Sequence, residues 1–347
     1  MITIGIIANP ASGKDVRRLV SGASVFDNPE KQAIVKRALA GMQNALGIRP
    51  WRIGYLDDAH GIVRNALGVL AGTEAECSAP EALAVARAET GSALHTTRAA
   101  RALAGLPSSV NLTLGGDGTN RAFALGWADA PLIPLSTGTN NVFPLLMEAT
   151  VAGAAAALVA CGAVALEQVA AQQKIIRVQI EGEADDLALI DAVLVTDRFV
   201  GSRALLDPDS LKSALLTVAD PAAVGITAIG GLLSPLSSIA DLGLLLEFGA
   251  TPGGRAISAP IAPGYYREVN VDACRTVAFS QSLRCQGPGV LAFDGERERV
   301  LKPGQVATLQ VERTGPLVID VPATMHIAAE QNLFMRPARQ PLPAVPE

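Results

Sequence analysis

Residues 110–120 read Val-Asn-Leu-Thr-Leu-Gly-Gly-Asp-Gly-Thr-Asn, and this stretch decides the fold. The apolar run 110–114 predicts a buried strand, and residues 121–125 are compatible with a helix, so the glycines lie where a strand ends and a helix begins. Glycines let the backbone approach an anion because no Cβ intervenes, and the N–H groups of the turn and of the helix N-terminus point towards it. The stretch therefore predicts a phosphate site made by Gly115, Gly116, Gly118 and Thr119.

Asp117 is the one carboxylate among these glycines. It would meet a bound phosphate with like charge, which does not help binding. The charge suits a group that takes a proton from a hydroxyl or helps to hold a bridging Mg²⁺. The alternative is a tight Gly-Asp-Gly turn in which Asp117 only caps the helix.

Length and composition set the broad class. The chain has 347 residues, of which 49% are apolar, and this is enough for two packed domains. The net charge of -5 and the pI near 5.4 argue against a nucleic-acid surface. We expect nucleotide and small-molecule partners, with no nucleic acid and no membrane.

The cysteines and the N-terminus favour a cytoplasmic protein. Cys77, Cys161, Cys274 and Cys285 form no CxxC pair, so neither a zinc site nor a disulfide framework is indicated. The first residues lack a basic segment and read as a strand, not as a signal peptide. The nearly uncharged stretch 150–171 is mainly alanine and predicts a buried helix, not a membrane span.

A second turn follows the first strand. Ile2 to Ala8 predicts that strand, and Asn9-Pro10-Ala11-Ser12-Gly13-Lys14 comes directly after it. The turn offers backbone donors and a cation at the carboxyl end of a parallel strand, where open α/β sheets bind ligands. The GxxxxGK[ST] spacing of a P-loop is absent. The alternative is a plain strand-to-helix turn with a solvated Lys14.

The rest of the first 150 residues alternates between strand and helix patterns. Residues 29–47 have helical apolar spacing, 51–56 predict a strand, and 61–71 and 80–105 predict helices. With glycine turns after the strands, this order predicts an α/β domain with a mainly parallel sheet and helices on both faces.

A third loop follows the strand predicted at Leu132 to Leu135. It reads Ser136-Thr137-Gly138-Thr139-Asn140-Asn141, and its hydroxyls and amides suit ribose and purine edges without adding charge. The alternative is a polar turn between a strand and a helix.

Beyond the alanine-rich helix the pattern changes to short apolar runs divided by Gly, Pro and charged turns, which predicts a mainly β domain. The predicted strands are 175–180, 188–196, 255–261, 268–279, 289–293 and 306–311. The predicted division is 1–150 for an α/β nucleotide-binding domain, 151–320 for a mainly β acceptor-binding domain, and 321–347 for a segment that packs back on the first domain.

The Gly-Gly-Asp-Gly-Thr run after a buried strand resembles the signature of the superfamily that joins NAD kinases with diacylglycerol and sphingoid lipid kinases. The resemblance implies a Rossmann-like, NAD kinase/phosphofructokinase-like first domain in a two-domain α+β kinase. It implies that Asp117 is the base that activates an acceptor hydroxyl, with ATP and Mg²⁺ bound and NAD as a possible substrate. The nucleotide-binding residues that it implies are Asn9, Pro10, Ser12, Gly13, Gly115, Gly116, Gly118, Thr119, Asn120, Gly138, Thr139, Asn140 and Asn141.

Three further segments lie in the order that the NAD kinase resemblance requires. Residues 189–193 stand where that family has Asn-Glu, with Ile190 and Asp191 in their places. Residues 225–231 resemble its Thr-Gly-Ser-Thr-Ala segment, and 293–296 its Asp-Gly-Glu turn. The acceptor-binding residues so implied are Asp191, Arg203, Thr227, Asp294 and Glu296. Alternatively, Asp294-Gly295 is only a type I′ hairpin turn, and Asp191 pairs with Arg198 or Arg203.

Residues 9–15, 136–144 and 200–204 are most similar to the acetoin-catabolism branch of NAD kinase-like proteins, and the resemblance covers residues 1–320. It implies ATP-dependent phosphorylation of a hydroxyl, on NAD(H) in NADP synthesis or on a small metabolite of acetoin catabolism, by a homo-oligomer. The alternatives are a lipid kinase of the diacylglycerol or sphingoid type and a non-catalytic nucleotide-binding regulatory protein. The residues leave open the acceptor, the choice between ATP and polyphosphate, the oligomeric state, and whether Ile190-Asp191 supports catalysis.

Overall fold

Short apolar runs alternate with helices in the first half of the chain and with turns in the second. The computed structural model describes residues 1–13, 26–70, 77–90, 92–138, 141–196, 207–279 and 281–335. The strands are β1 (Ile2–Ala8), β2 (Trp51–Asp58), β3 (Glu81–Ala88), β4 (Ser108–Gly115), β5 (Pro131–Ser136), β6 (Ala170–Gln172), β7 (Ile175–Ile180), β8 (Asp186–Ala188), β9 (Asp191–Val195), β10 (Leu211–Leu216), β11 (Leu242–Phe248), β12 (Arg255–Ala262), β13 (Tyr265–Ala278), β14 (Leu283–Gln286), β15 (Gly289–Phe293), β16 (Glu296–Leu301), β17 (Val306–Glu312) and β18 (Leu317–Ile319).

The helices follow the same chain order. They are α1 (Asn28–Leu46), α2 (Ile62–Leu70), α3 (Ala93–Ala104), α4 (Asp117–Ala124), α5 (Ala149–Ala160), α6 (Leu166–Val169), α7 (Ile226–Leu233) and α8 (Val321–Glu330), with a 3₁₀ turn at Pro208–Ser210. None of these described helices combines the length and the apolar character needed to cross a bilayer.

The first sheet has the order β3-β2-β1-β4-β5-β18-β6. All neighbours pair in parallel except β18 and β6. The chain builds outward from β1 to β3, then returns to place β4 on the other side of β1. The sheet therefore reverses its strand order between β1 and β4, and the carboxyl ends of such neighbouring strands form the ligand crevice of open α/β sheets.

Two antiparallel sheets make up the second half. One has the order β12-β13-β11-β10-β9-β15-β16 and the other β14-β17-β7-β8. Their facing apolar side chains form one core, which includes Ile176 and Val178 from β7 and Leu291 and Phe293 from β15. The predicted fold class, a parallel α/β domain followed by a mainly β domain, is confirmed.

Several elements beyond residue 150 complete the first domain. Helix α5 packs in its core with α1, and β6 and β18 extend its sheet. Val321 and Ala328 of α8 are buried in the same core. Residues 336–347 of the predicted C-terminal segment lie outside the described residues, and the division at residues 150 and 320 stays a prediction.

Three of the predicted elements were wrong in extent. The helix predicted over 80–105 is strand β3 followed by α3, because pairing with β2 overrides the helix propensity of Glu-Ala-Leu-Ala. The helix predicted over 150–171 ends at Ala160, and Gly162 with φ 72° turns the chain into α6. The strand predicted over 188–196 is broken at residues 189 and 190, between β8 and β9.

Helices α1 and α5 cross at Gly41 and Gly153, where their backbones approach closely. A Cβ on Gly153 would overlap the carbonyl oxygen of Ala38. We expect Gly153→Ala to lower the free energy of unfolding by about 1–3 kcal/mol, the usual cost of overpacking. The matched control is Gly68→Ala on α2, where an added Cβ meets nothing within 4 Å.

The control should raise stability by up to about 1 kcal/mol, since alanine is the better helix former. Urea unfolding of both variants measures the two effects. Equal effects of the two substitutions would contradict the described crossing of α1 and α5.

Candidate functional site

Three loops meet at the carboxyl ends of β1, β4 and β5. The amide N–H of Asn9 donates to Leu114 O at 2.9 Å, which continues the pairing of β1 with β4 past the end of the strand. The Asn9 side chain then donates to Thr119 Oγ1 at 2.8 Å and accepts from Ala11 N at 2.8 Å. Asn9 therefore ties the first turn to the glycine-rich loop and shapes its own turn as well.

The third loop is held to the first two by hydroxyl and amide groups. Ser12 Oγ and Thr137 Oγ1 share a hydrogen bond of 2.9 Å between buried side chains, and Thr137 N donates to Gly115 O at 3.1 Å. These bonds join the described parts of the turns that follow β1, β4 and β5 into one rim.

The glycines of this rim approach each other closely. A Cβ on Gly116 would lie 2.7 Å from Asn141 Oδ1, and one on Gly138 would lie 2.9 Å from Gly116 Cα. Asn141 Nδ2 donates to Ser136 Oγ at 2.6 Å, which fixes the amide over both glycines. The loop packing itself thus requires these glycines, so they are not by themselves evidence of a bound phosphate.

Two residues of the glycine-rich loop use their polar groups inside the protein. Thr113 Oγ1 donates to Asn120 Oδ1 at 2.6 Å, and Asn120 Nδ2 donates to Gly116 O at 2.9 Å. Thr119 N donates to Gly116 O at 3.1 Å within the first turn of α4. Asn120 is fully buried and supports the loop from beneath.

Asp117 is the first residue of α4, and its side chain is directed away from that helix. The N-cap is Gly116, with no side-chain capping bond, so the reading in which Asp117 caps its own helix is wrong. The carboxylate Oδ1 instead accepts from Phe143 N at 2.8 Å and Val142 N at 3.1 Å, and Oδ2 accepts from Val142 N at 3.1 Å. Backbone amides of the two residues that follow the third loop therefore orient this carboxylate.

Asp117 lines a pocket between the two domains. The described residues that line it are Asp117, Val142, Asp191, Asp207, Pro208, Leu211, Val224, Gly225, Ile226, Thr227, Ile261, Asp294 and Gly295. The pocket brings together four of the residues predicted from the sequence: Asp117, Asp191, Thr227 and Asp294. Asp207, Val224 and Gly225 also line it and were not predicted as site residues.

Asp294 holds the turn that precedes β9. Its carboxylate accepts from the N–H groups of Leu189 at 3.1 Å, Ile190 at 2.7 Å and Asp191 at 3.3 Å. Asp294 has φ 51° and Gly295 φ 78°, the left-handed pair that a type I′ hairpin turn requires. Burial raises the pKa of Asp294 to about 6, although Arg121 and the three amides act in the opposite direction.

Asp191 and Thr227 complete the second-domain side of the pocket. Asp191 Oδ1 accepts from Gly295 N at 3.3 Å, and Asp191 O accepts from Asp294 N at 3.0 Å, so the two aspartates lie side by side. Thr227 is buried in the first turn of α7, which begins after Gly225. Asp191 and Thr227 therefore line the same pocket as Asp117.

Ile190 does not join them. It packs in an apolar cluster between the domains with Ala124, Ile175, Leu187 and Leu189. Ile190, which stands where NAD kinases have asparagine, thus contributes to the contact between the domains.

Four residues of the predicted site region lie outside the described residues: Lys14, Thr139, Asn140 and Arg203. So does Arg198, the other arginine considered as a partner of Asp191. Glu296 begins β16, but only its backbone is described.

Lys31 is a site-supporting residue that the sequence analysis missed. Its ammonium group is fully buried and donates to Ser12 O at 2.8 Å and Pro10 O at 3.2 Å. Lys31 lies on the apolar face of α1, in helical register with Ile34 and Val35. A lysine in line with an apolar stripe is the signal that could have identified it.

Comparison with known proteins gives the family. A family model for the C-terminal domain of acetoin catabolism protein X matches residues 174–314. The acetoin catabolism protein X of Cupriavidus necator is 34% identical over 350 residues, which cover 97% of this chain and 95% of the relative. The chain belongs to the acetoin catabolism protein X family.

The fold of this family member is NAD kinase-like. The crystal structure of yeast NADH kinase complexed with NADH matches with a TM-score of 0.51 at 12% sequence identity. The match covers 98% of this chain and 89% of the yeast chain. The predicted resemblance to NAD kinases and to the acetoin-catabolism branch is confirmed.

Removing the Lys31 ammonium should destabilise the turn that follows β1, because this group donates to two of its carbonyl oxygens. We expect Lys31→Met to lower the free energy of unfolding by about 1–3 kcal/mol, because carbonyl oxygens of Pro10 and Ser12 lose a buried donor. Lys36→Met, on a half-buried position of the same helix, is the control and should stay within about 0.5 kcal/mol of wild type. Chemical denaturation measures both, and equal losses would show that the buried ammonium has no special role.

The buried carboxyl of Asp294 predicts a pH-dependent stability. Its native pKa of about 6 lies above the ordinary value of 3.8, so the native state binds this proton more tightly than the unfolded state. Lowering the pH from about 6 to 4 should therefore stabilise wild type relative to Asp294→Asn, by up to roughly 3 kcal/mol.

Urea unfolding at pH 7, 6, 5 and 4 measures this difference. Asp185→Asn, in an exposed turn, is the control and should keep the wild-type pH dependence. A constant difference between wild type and Asp294→Asn over this range would refute the assignment.

Proposed function

We propose that this protein is a kinase that transfers the γ-phosphoryl group of ATP to a hydroxyl group held between its two domains. The observation that carries the proposal is the pocket lined by Asp117, from the glycine-rich loop, and by Asp191, Thr227 and Asp294 from the second domain. A carboxylate beside a nucleotide site can act as a general base only if an acceptor hydroxyl can bind next to it. The second domain supplies the walls for that acceptor.

The nucleotide would bind on the first-domain rim. The turn after β1 and the loop after β5 would frame the nucleoside, and the first turn of α4 would direct its N–H groups at the phosphates. The bonds from Asn9 to Thr119 and from Ser12 to Thr137 keep these loops in fixed relation. A preorganised rim of this kind lowers the cost of ordering the triphosphate.

Asp117 would act on the acceptor hydroxyl. As the hydroxyl oxygen forms its bond to the γ-phosphorus, the bond from that phosphorus to the β–γ bridging oxygen breaks and ADP leaves. The hydroxyl proton passes to Asp117. The amides of Val142 and Phe143 hold the carboxylate in one orientation for this step.

Mg²⁺ fits the oxygen donors of the pocket. Among the described residues no group of three or more His, Cys, Asp or Glu is arranged to hold a metal ion by itself. This suits Mg²⁺, which is commonly bound by one or two carboxylates together with substrate phosphates. Asp191 would hold it on the protein side, which leaves Asp117 free of the metal as the base, and when bound it would neutralise charge on the phosphates.

The acceptor is proposed as NAD(H), or else as a small hydroxyl metabolite linked to acetoin catabolism. The NAD kinase-like fold supports the first, and the name of the Cupriavidus relative supports the second. A cytoplasmic location and assembly into a homo-oligomer stay predictions from the sequence.

A second candidate function is a nucleotide-binding regulatory protein without turnover. Ile190 favours it, because the side chain at this family position packs between the domains and offers no polar group to an acceptor. Calorimetry with ATP and NAD⁺, together with a turnover assay, separates the two. Binding without phosphoryl transfer to NAD⁺, NADH or acetoin-type hydroxyl compounds would favour the regulatory role.

Replacing Asp117 tests the kinase directly. Asp117→Asn keeps an oxygen to accept the amide N–H groups but cannot take a proton. We expect kcat for ATP-dependent phosphorylation to fall by about 10²–10⁴-fold, the usual contribution of a general base, with ATP binding retained. Asp209→Asn, an exposed aspartate of the 3₁₀ turn next to the pocket, is the control and should keep full activity. Activity of Asp117→Asn within tenfold of wild type would remove Asp117 from the base role.

A further inference from the structure

Arg121 lies one helical turn after Asp117 on α4, and its side chain crosses from the first domain to the second. Arg121 Nε donates to Leu187 O at 2.6 Å, and Nη2 forms an ion pair of 2.6 Å with Asp186 Oδ1. Both charged side chains are buried, with 9% and 3% of their surfaces exposed. The helix that carries Asp117 is thus joined directly to β8.

Arg121 also contacts the strand that leads to Asp294. Its Cζ lies 4.9 Å from the centroid of the Phe293 ring, and Phe293 immediately precedes Asp294. The carboxylate of Asp294 in turn holds the amides of residues 189–191, which continue from Leu187. One guanidinium group therefore reaches both chain segments that bring acceptor-side carboxylates to the pocket.

Asp186 is held from two directions. Its Oδ1 pairs with Arg121 of the first domain, and its Oδ2 accepts from Arg299 Nη2 at 2.9 Å and Nε at 3.1 Å. Arg299 belongs to β16, so its pairing with Asp186 stays inside the second domain. The two arginines share one carboxylate, but only Arg121 connects the domains.

The surrounding contact between the domains is apolar. Ala124 of α4 belongs to the same apolar cluster as Ile190 and Leu187, and apolar packing has no directional preference. A guanidinium with directed N–H bonds fixes both distance and angle, which apolar contacts do not. Catalytic geometry is sensitive on this scale, because a displacement of about 1 Å costs about 10²-fold in rate.

We propose that Arg121 is a positioning residue that sets the distance between Asp117 and the acceptor side of the pocket. It acts through α4 on one side and through Asp186, Leu187 and Phe293 on the other. The inference rests on the proposed kinase function for its effect on turnover, whereas the connection between the domains is independent of turnover.

The kinetic test compares Arg121→Met with Arg299→Met. ATP is the donor and NAD⁺ is the acceptor probe. We expect Arg121→Met to lower kcat/KM for NAD⁺ by about 30–100-fold while KM for ATP stays within about twofold, because the nucleotide rim belongs to the first domain alone. Arg299→Met should keep kcat/KM for NAD⁺ within about threefold of wild type.

Arg121→Lys should be intermediate, since it keeps the charge beside Asp186 but loses the planar fork. It also replaces Arg121→Met in the comparison if the latter does not fold. Three results would each overturn the proposal. They are a rise in KM for ATP as large as the loss in kcat/KM for NAD⁺, no loss in kcat/KM for NAD⁺, and an equal loss in Arg299→Met.

Hydrogen–deuterium exchange gives a readout that does not need turnover. In Arg121→Met, peptides that cover α4 and residues 187–191 should both exchange faster than in wild type, whereas Arg299→Met should leave α4 unchanged. If wild type phosphorylates nothing but this pattern appears, the kinase proposal fails and the positioning role of Arg121 stands. If α4 keeps its protection in Arg121→Met, the positioning role fails whatever the activity.

Discussion

The parallel pairing of β1 with β4 is the constraint on which the rest of the site depends. The chain adds β2 and β3 on one side of β1 and then places β4 on the other, in a register that sets Ala8 opposite Leu114. The turns that follow these strands must therefore emerge side by side. Asn9 converts this proximity into fixed geometry through its bonds to Leu114 and Thr119. Without the reversal of strand order, the turn that carries Asn9 would not lie beside the glycine-rich loop.

The second domain makes this edge of the sheet into a pocket. Asp117 is oriented by amides from its own domain, but Asp191, Thr227 and Asp294 all come from beyond residue 190. Apolar packing around Ile190 joins the two domains, and the buried ion pair of Arg121 with Asp186 adds a directed polar bond to this contact. Buried ion pairs contribute little net stability once desolvation is counted, so a role in geometry accounts better for this one.

The sequence alone predicted the features that depend on local pattern. Apolar runs followed by glycines located the strand ends of the first sheet. The resemblance to NAD kinases implied that Asp117, Asp191, Thr227 and Asp294 belong to one site, and all four line the pocket. The bounds of β1, β7 and β15 agree with the prediction. The sequence also allowed Asp294-Gly295 to be only a type I′ turn. In the structure these residues form that turn and also line the pocket.

Features that depend on tertiary contacts were missed. The alanine-rich sequence of residues 81–88 predicts a helix, but in the folded chain this segment is a strand because it pairs with β2. Arg121 looks like an ordinary basic position of a helix, and only the folded chain shows that its side chain is buried and donates to a backbone oxygen. The position of Lys31 in line with an apolar stripe indicates burial, but only the folded chain shows that its ammonium donates to Ser12 O. The glycines of the rim were interpreted as space for an anion, whereas the structure shows that Asn141 and Thr119 occupy much of the space beside them.

The most direct measurement is a crystal structure of the protein with Mg²⁺, a non-hydrolysable ATP analogue and NAD⁺. The account predicts that the γ-phosphate lies beside Asp117 at the end of β4. It also predicts an acceptor hydroxyl within about 3–3.5 Å of that phosphorus, on the side of Asp191 and Thr227. A triphosphate bound away from the glycine-rich loop, or a pocket that stays empty while nucleotide binds elsewhere, would contradict it.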